Sequence, residues 1–168
     1  PTVIVDAATT VLVDIDIAAA SIPIANLSLD CTPPDMVPAA LAGNAADFTL
    51  EGCEVLMADG TGQATEFIVT ATAADRMAVI DNVIRSPNAG ANNAVSIEGT
   101  PDGIVIKGNR IYGDFADACV HNPTGNVATN LVIEGNYLQN DNAGEHAIEL
   151  VSACTGTISS NHLVTDAI

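Results

Sequence analysis

Basic and aromatic residues are scarce in this chain of 168 residues. Four lysines and arginines stand against 21 aspartates and glutamates, which gives a formal net charge of −17 at pH 7. A nucleic-acid partner requires a basic face that neutralises phosphates, and four basic residues cannot form one. The composition therefore argues against nucleic-acid binding. It predicts an acidic surface whose self-repulsion is screened in salty water.

Long apolar runs are also lacking. The longest charge-free apolar stretch, Ile17–Leu29, has 13 residues and is interrupted by Pro23 and Asn26. A membrane-spanning helix needs about 20 consecutive apolar residues, so no membrane insertion is predicted. The first residue is Pro1 rather than Met. We expect residues 1–168 to be one domain of a longer natural chain whose caps lie outside this segment.

The four cysteines do not predict a disulfide framework. Cys53 falls on an inward position of the repeat described below, and Cys31 lies four positions past the equivalent position one repeat earlier. That offset exceeds the Cα separation of 4.4–6.8 Å typical of a disulfide. No Cys or His spacing typical of zinc is present, so buried free thiols are predicted.

A ten-residue phrase recurs along the chain. "IVIKGNRIYG" begins at Ile104 and "LVIEGNYLQN" begins at Leu131. Further copies are "IPIANLSLDC", "FTLEGCEVLM", "MAVIDNVIRS" and "GTISSNHLVT", which begin at Ile22, Phe48, Met77 and Gly156. Successive copies are 25 to 29 residues apart. Self-similarity at a near-constant period indicates a repeat architecture.

Within each copy apolar and polar residues alternate, which predicts a β-strand. A Gly-Asn or Asp-Asn corner follows, where Gly and Asn accept left-handed backbone angles. A second short strand is predicted in each period, for example "NAVSIEG" from Asn93 and "HAIELVS" from His146. Stacked units of this kind form an all-β, right-handed parallel β-helix. We predict about six coils in a single domain.

A leucine-rich repeat is the alternative fold, because "LVIEGNYL" also fits its consensus. That repeat requires another Leu three residues before the first one, where this chain has Ala74, Pro101 and Ala128. The chain contains 10 Leu against 32 Ile and Val, a ratio that favours strands over helices.

One inward column is predicted at the corners. It consists of Leu27, Cys53, Asn82, Asn109, Asn136 and Asn161. Stacked inward Asn side chains can bond to their equivalents above and below and to the turn backbone. The Asn residues are therefore interpreted as structural, and the phrase repeats because every coil has the same corner to satisfy.

Outward positions supply the candidate site. One predicted outward column runs Glu54, Val83, Arg110, Tyr137 and His162, and another runs Glu51, Ile80, Lys107, Glu134 and Ser159. Arg110, Tyr137 and His162 are the candidate binding residues. Lys107 with Glu134 is interpreted as a surface ion pair. On the second strand, Glu98 is expected beside His121, and Cys119 beside Glu149.

Signals for catalysis are weak. Aromatic residues make up 3% of the chain and Trp is absent, whereas a sugar-cleaving groove is expected to show more of them. No matched carboxylate pair is apparent. The corners Gly113–Ala118 and Asn140–Glu145 lack the spacing of a calcium loop. No catalytic residue, metal or cofactor is predicted.

Three stretches resemble β-helix proteins of tailed bacteriophages and, at the level of fold, the pectin-lyase-like superfamily. They are "DGIVIKGN" (Asp102–Asn109), "ACVHNPTG" (Ala118–Gly125) and "NHLVTDAI" (Asn161–Ile168). The resemblance extends over nearly the whole chain. It implies a virion structural protein, such as a capsid decoration, a fibre or a tail spike, and it brings no catalytic motif.

Three functions remain open at this stage. The first is a non-enzymatic structural module of a phage particle, with other virion proteins as partners, a homotrimeric state and a virion or extracellular location. The second is an adsorption protein that binds or cleaves host-surface carbohydrate. The third is a secreted bacterial β-helix with an adhesive role.

Overall fold

The computed structural model describes residues 2–4, 13–17, 20–30, 39–57, 66–70 and 74–165. The strands in the first half are β1 (Thr2–Ile4), β2 (Val13–Ile17), β3 (Pro23–Ala25), β4 (Ser28–Asp30), β5 (Ala39–Gly43), β6 (Thr49–Glu51), β7 (Glu54–Leu56), β8 (Glu66–Thr70) and β9 (Ala78–Ile80). Those in the second half are β10 (Val83–Ser96), β11 (Val105–Lys107), β12 (Arg110–Asn122), β13 (Leu131–Glu134), β14 (Tyr137–Asn140), β15 (His146–Leu150), β16 (Gly156–Ser159) and β17 (His162–Thr165).

The described residues contain strands and no helix, so none of them forms a helix that could cross a membrane. This rules out the leucine-rich repeat for the described part of the chain, because that fold carries a helix or 3₁₀ segment in each repeat. As predicted, the segments in which Ile, Val and Leu alternate with polar residues form strands.

The strands form three parallel faces, which we name sheets I, II and III. Sheet I contains β3, β6, β9, β11, β13 and β16, and sheet II contains β1, β4, β7, β10, β12, β14 and β17. Sheet III contains β2, β5, β8, β10, β12 and β15. The long strands β10 and β12 run through sheets II and III. Each strand pairs with its equivalent one repeat away, which confirms a parallel β-solenoid.

The number of turns differs from the prediction. The solenoid has about four turns, against six predicted coils. The recurring phrase counts strands of sheet I, of which there are six. A full turn also requires the connections between the sheets, and the longest unbroken stretch of the described chain is residues 74–165.

The corner between sheets I and II has left-handed backbone angles in every copy of the phrase. The φ values lie between 53° and 67° at Asn26, Gly52, Asp81, Gly108, Gly135 and Ser160. This confirms the corner predicted from the Gly-Asn and Asp-Asn dipeptides. A second left-handed corner precedes sheet I, at Ser21, Asp47, Arg76, Gly103 and Asn130. Three of its five residues, Asp47, Gly103 and Asn130, are of types that accept these angles, but all five lie just before the recurring phrase, and sequence reasoning missed the corner.

The predicted inward column is confirmed. The side-chain Oδ1 of Asn109 accepts hydrogen bonds from Asn82 N at 2.9 Å and Asn82 Nδ2 at 3.0 Å. In the same way, Asn136 Oδ1 accepts from the N and Nδ2 of Asn109, and Asn161 Oδ1 accepts from the N and Nδ2 of Asn136. Each Nδ2 also donates to a sheet I carbonyl, as Asn109 does to Val79 at 2.8 Å. One side chain therefore bonds three consecutive turns together.

Cys53 continues this column without an amide. Its backbone N donates to Asn82 Oδ1 at 2.9 Å, while its buried thiol lies 3.5 Å from the carbonyl oxygen of Glu51. Cys53, Cys119 and Cys154 are free. The prediction concerning Cys31 lies outside the described residues.

The core runs along the axis between the three sheets. Fully buried apolar side chains include Leu50, Val79, Ile106 and Ile133 from sheet I, Val55, Ile84, Ile111 and Leu138 from sheet II, and Ile68, Val95 and Val120 from sheet III. Each such burial contributes roughly 1.5–3 kcal/mol. With these residues turned inward, the intervening positions of each strand face outward, and these carry the candidate site.

Candidate functional site

Strand pairing places the three predicted binding residues in one column on the outside of sheet II. Arg110 on β12 is in register with Tyr137 on β14, and Tyr137 is in register with His162 on β17. The next residues inward, Ile111 and Leu138, are buried, so the predicted alternation holds. The predicted column is therefore correct as geometry, and its binding role stays a prediction.

The three side chains contact one another as a stack. The Arg110 guanidinium carbon lies 5.6 Å from the centre of the Tyr137 ring. The Tyr137 and His162 rings are stacked at 5.2 Å between centroids, with 13° between their planes. A cation over an aromatic ring stabilises by about 0.5–1 kcal/mol at an exposed site. Tyr137 lies between Arg110 and His162 in this column, so its ring faces are covered by its neighbours, and His162 is the exposed ring of the stack.

A second outward column adds two residues that sequence reasoning missed. Tyr112 is in register with Gln139, two positions beyond the first column. Arg110 lies 4.9 Å from the centre of the Tyr112 ring, so one guanidinium covers both tyrosines of the chain. The period of two could have found these positions, because Tyr112 shares a face with Arg110.

Hydrogen bonds order the same surface. The Tyr137 hydroxyl donates to Gln139 Oε1, and Gln139 Nε2 donates to Asp141 Oδ1 at 2.7 Å. We name this surface the aromatic face, and it consists of Arg110, Tyr112, Tyr137, Gln139 and His162. It presents rings, a guanidinium and an amide side by side. Stacking on a ring combined with hydrogen bonds to an adjacent polar group is a way to bind a ligand that has both apolar and hydroxyl-bearing faces.

The other predicted outward column is also confirmed in register, from Glu51 through Ile80, Lys107 and Glu134 to Ser159. Lys107 Nζ lies 2.9 Å from Glu134 Oε2, with both side chains about half exposed. Exposed pairs of this kind contribute about 0–1 kcal/mol. This column is consistent with a surface ion pair.

The two predicted pairs on sheet III are wrong. His121 is in register with Ser96 and Glu149, and its Nε2 lies 3.5 Å from Glu149 Oε2. Glu98 follows Ser96 by two positions. Cys119 lies between Ala118 and Val120, which pair with His146 and Ile148, so Glu149 is not its partner. Both predicted pairs are offset by two positions from the observed register, which places Ser96 rather than Glu98 opposite His121 and Ala147 rather than Glu149 opposite Cys119.

A partly buried carboxyl group is the main electrostatic feature of sheet III. Burial raises the pKa of Glu66 to about 7, and the negative charge of Glu98 adds to the increase. Asn93 and Ser96 lower it through hydrogen bonds, and Asp117 raises it slightly. Sequence reasoning did not select Glu66. These carboxyl groups lie on a different sheet from the aromatic face.

The acidic corners use their polar groups internally. Asn140 Oδ1 accepts from Phe115 N at 3.0 Å and from Asn142 N at 3.1 Å, while its Nδ2 donates to Phe115 O at 3.1 Å. Across the ranges that the structure describes, no three His, Cys, Asp or Glu side chains are grouped to hold a metal.

Comparison with protein-family models, with curated proteins and with solved structures finds no match to this chain. The fold and the aromatic face together define a parallel β-solenoid protein with an ordered aromatic and polar patch on one outer sheet.

Proposed function

We propose that this chain is a non-enzymatic structural module of a tailed-phage particle, as a capsid decoration, a fibre or a spike β-helix. The observation that carries the proposal is the column of Asn109 and its equivalents, which hydrogen-bonds successive turns through the core. Hydrogen bonds between successive turns hold the turns in register, which suits a structural module. The resemblance of Asp102–Asn109 and Ala118–Gly125 to phrases of phage β-helix proteins supports a location in a phage particle.

The partly buried carboxyl group of Glu66 is not positioned to act on a ligand of the aromatic face. The tyrosines of the aromatic face lie on sheet II, while Glu66 lies on sheet III and Glu98 follows the sheet III end of β10 by two residues. A sugar bound at the aromatic face is therefore not placed against Glu66 and Glu98 as the acid and base groups that glycoside cleavage needs on either side of the bond.

Particle analysis tests this proposal. Phage particles induced from the source organism are purified on a density gradient, and their peptides are identified by mass spectrometry. We expect peptides of this chain in the gradient fraction that contains intact particles, together with peptides of other virion proteins. Within the particle we expect the chain to be a homotrimer. Recovery of the chain only from particle-free culture medium would contradict a virion location and would favour a secreted adhesin.

A carbohydrate-binding adsorption role is the second candidate. The stacked rings of Tyr137 and His162 favour it, because aromatic planes contact the apolar faces of sugars. A glycan array probed with the purified chain tests this role. We expect Tyr137→Ala to weaken binding about tenfold, the equivalent of about 1.4 kcal/mol, and Lys107→Gln on sheet I to leave it unchanged. Equal binding by the Tyr137 variant and the parent chain would show that the aromatic face does not take part in carbohydrate binding.

A further inference from the structure

A groove adjoins the aromatic face on the outside of sheet II. Its volume is about 340 Å³, at the lower end of the range of 300–1,000 Å³ typical of small-molecule pockets. Its walls include Arg85, Tyr112, Asp114 and Asp141. Such a volume suits a ligand of one or two sugar rings rather than a polymer.

The backbone brings these side chains together. Arg85 and Tyr112 are in register on neighbouring turns. Gly113 has a φ of 134°, and a Cβ there would lie 1.9 Å from the carbonyl oxygen of Ser86. Only glycine therefore allows β12 to pass so close to β10. Asp141 N donates to Gly113 O at 2.8 Å, which holds Asp141 close to Asp114.

The polar groups of the groove are not fully used by the protein. Asp114 Oδ1 is buried and has no hydrogen-bond partner among the described residues. Asp114 lines the groove, and because χ2 of Asp is a soft torsion, its carboxylate can reorient to meet a donor there. Arg85 is exposed and belongs to none of the ion pairs found in the described ranges. A buried acceptor without a donor is costly, and a ligand that donates hydrogen bonds relieves that cost.

The charges select the class of ligand. Two carboxylates accept hydrogen bonds from hydroxyl groups but repel uronic acids and sulfated sugars, and the net charge of −17 adds to the repulsion. A bound cation would need more than two carboxylates next to an arginine. The Tyr112 ring offers a surface for the apolar face of a sugar.

We propose that the groove of Arg85, Tyr112, Asp114 and Asp141 binds a neutral, hydroxyl-rich saccharide unit. This inference rests on the carbohydrate-binding function proposed above. Hydroxyl groups donate to Asp114 and Asp141, Arg85 donates to a ligand oxygen, and Tyr112 contacts the ring. The aromatic face then extends the same binding surface toward His162.

Titration of the labelled protein tests the proposal. Neutral oligosaccharides selected by a glycan array, and matched uronic-acid oligosaccharides, are added while backbone amide signals are followed by NMR. We expect the neutral ligand to shift the amides of Tyr112–Asp114 and Asp141. Tyr112→Leu and Asp114→Ala are each expected to weaken affinity at least tenfold, while Lys107→Gln serves as the matched control. Melting curves confirm that each variant is folded, and Asp114→Asn replaces Asp114→Ala if the latter unfolds.

The possible outcomes are distinct. Shifts and losses confined to the Tyr137 and His162 region would overturn the groove proposal while leaving the carbohydrate-binding role intact. Preference for the uronic-acid ligand, or a response to calcium alone, would also overturn it. Absence of binding to any glycan would reject both the role and the groove.

Discussion

At the scale of single residues, Asn109 shows how one side chain can satisfy several buried backbone groups. Its Oδ1 accepts from Asn82, its Nδ2 donates to Val79 and Asn136, and its own N donates to Asn136. All of this occurs at 1% exposure. An apolar residue of similar size would fill the space but leave these groups without partners, which is costly inside a protein.

We therefore expect Asn109→Leu to destabilise the protein more than Lys107→Gln, which changes an exposed side chain on the same turn. Loss of the buried hydrogen bonds should lower the free energy of unfolding by about 1–3 kcal/mol, whereas the surface change should cost about 0–1 kcal/mol. Denaturant unfolding of both variants measures the difference. Equal unfolding midpoints would mean that the Asn column does not stabilise the solenoid.

The raised pKa of Glu66 predicts that the stability of the protein depends on pH. Because burial and Glu98 raise its pKa to about 7, the folded state holds this proton more tightly than the unfolded state, whose pKa is about 4.5. Stability linked to Glu66 is therefore complete below about pH 4.5 and is lost as pH rises through 7. Glu66→Gln should melt at a higher temperature than the parent chain at pH 8, and this gain should vanish near pH 5.

Glu54→Gln, which changes an exposed carboxylate on sheet II, is the control for that series. Melting curves from pH 5 to 8 provide the comparison. A gain for Glu66→Gln that is the same at both ends of the range would show that the carboxyl group titrates normally.

At the scale of elements, the corners and bends hold the sheets at their angles. Left-handed residues occur on both sides of every strand of sheet I from β3 to β13. At the second corner, Arg76 in one turn donates to Asp47 in the turn before, with its Nε 2.7 Å from Oδ1. That contact holds the pKa of Asp47 below its usual value. The corners are therefore specified partly by glycine and partly by contacts between turns.

Two glycines with positive φ should respond differently to a methyl group. At Gly135, with a φ of 65°, a Cβ meets no atom within 4 Å, so Gly135→Ala should cost only the left-handed strain of about 1–2 kcal/mol. At Gly113 the added atom meets the Ser86 carbonyl at 1.9 Å. Gly113→Ala should therefore cost roughly 2–6 kcal/mol from strain and overpacking together.

Denaturant unfolding of the two alanine variants measures this difference. A cost for Gly113→Ala no larger than that for Gly135→Ala would indicate that β10 and β12 can separate at little expense. In that case the shape of the groove at Gly113 would change easily, because the two strands beside it could move apart.

At the scale of the whole molecule, charge is the dominant feature. A net charge of −17 on 168 residues repels itself in the compact state. The solenoid tolerates this because its turns are joined by hydrogen bonds and a continuous apolar core rather than by ion pairs. The two Lys and Arg ion pairs among the described residues, Arg76–Asp47 and Lys107–Glu134, are exposed.

Salt should therefore stabilise the protein. The Debye length shortens from about 30 Å at 0.01 M to about 3 Å at 1 M ionic strength, so repulsion between surface carboxylates fades over this range. We expect the melting temperature to rise steadily from 10 mM to 1 M NaCl, with the same rise in KCl. A flat or falling curve would mean that local ion pairs outweigh the net charge.

Much of the fold follows directly from the sequence. Alternation within "LVIEGNYLQN" and its copies determined the strands, and their near-constant spacing determined the stacking, because a short strand with one apolar side is stable only against its equivalents. The column of Leu27, Cys53, Asn82, Asn109, Asn136 and Asn161, and the stack of Arg110, Tyr137 and His162, follow from the same alignment. Within one sheet, register is transmitted unchanged from turn to turn.

Only the tertiary structure decided how the register of one sheet relates to the register of the next. Asn93 stands eleven positions after Asn82, but its partner Ala118 stands nine positions after Asn109, so an alignment based on the Asn column does not carry over to sheet III. In sheet III, His121 lies beside Ser96 on one side and Glu149 on the other. The groove at Gly113 and the raised pKa of Glu66 likewise depend on how closely neighbouring turns approach, a distance set by packing in three dimensions rather than by the repeat along the chain.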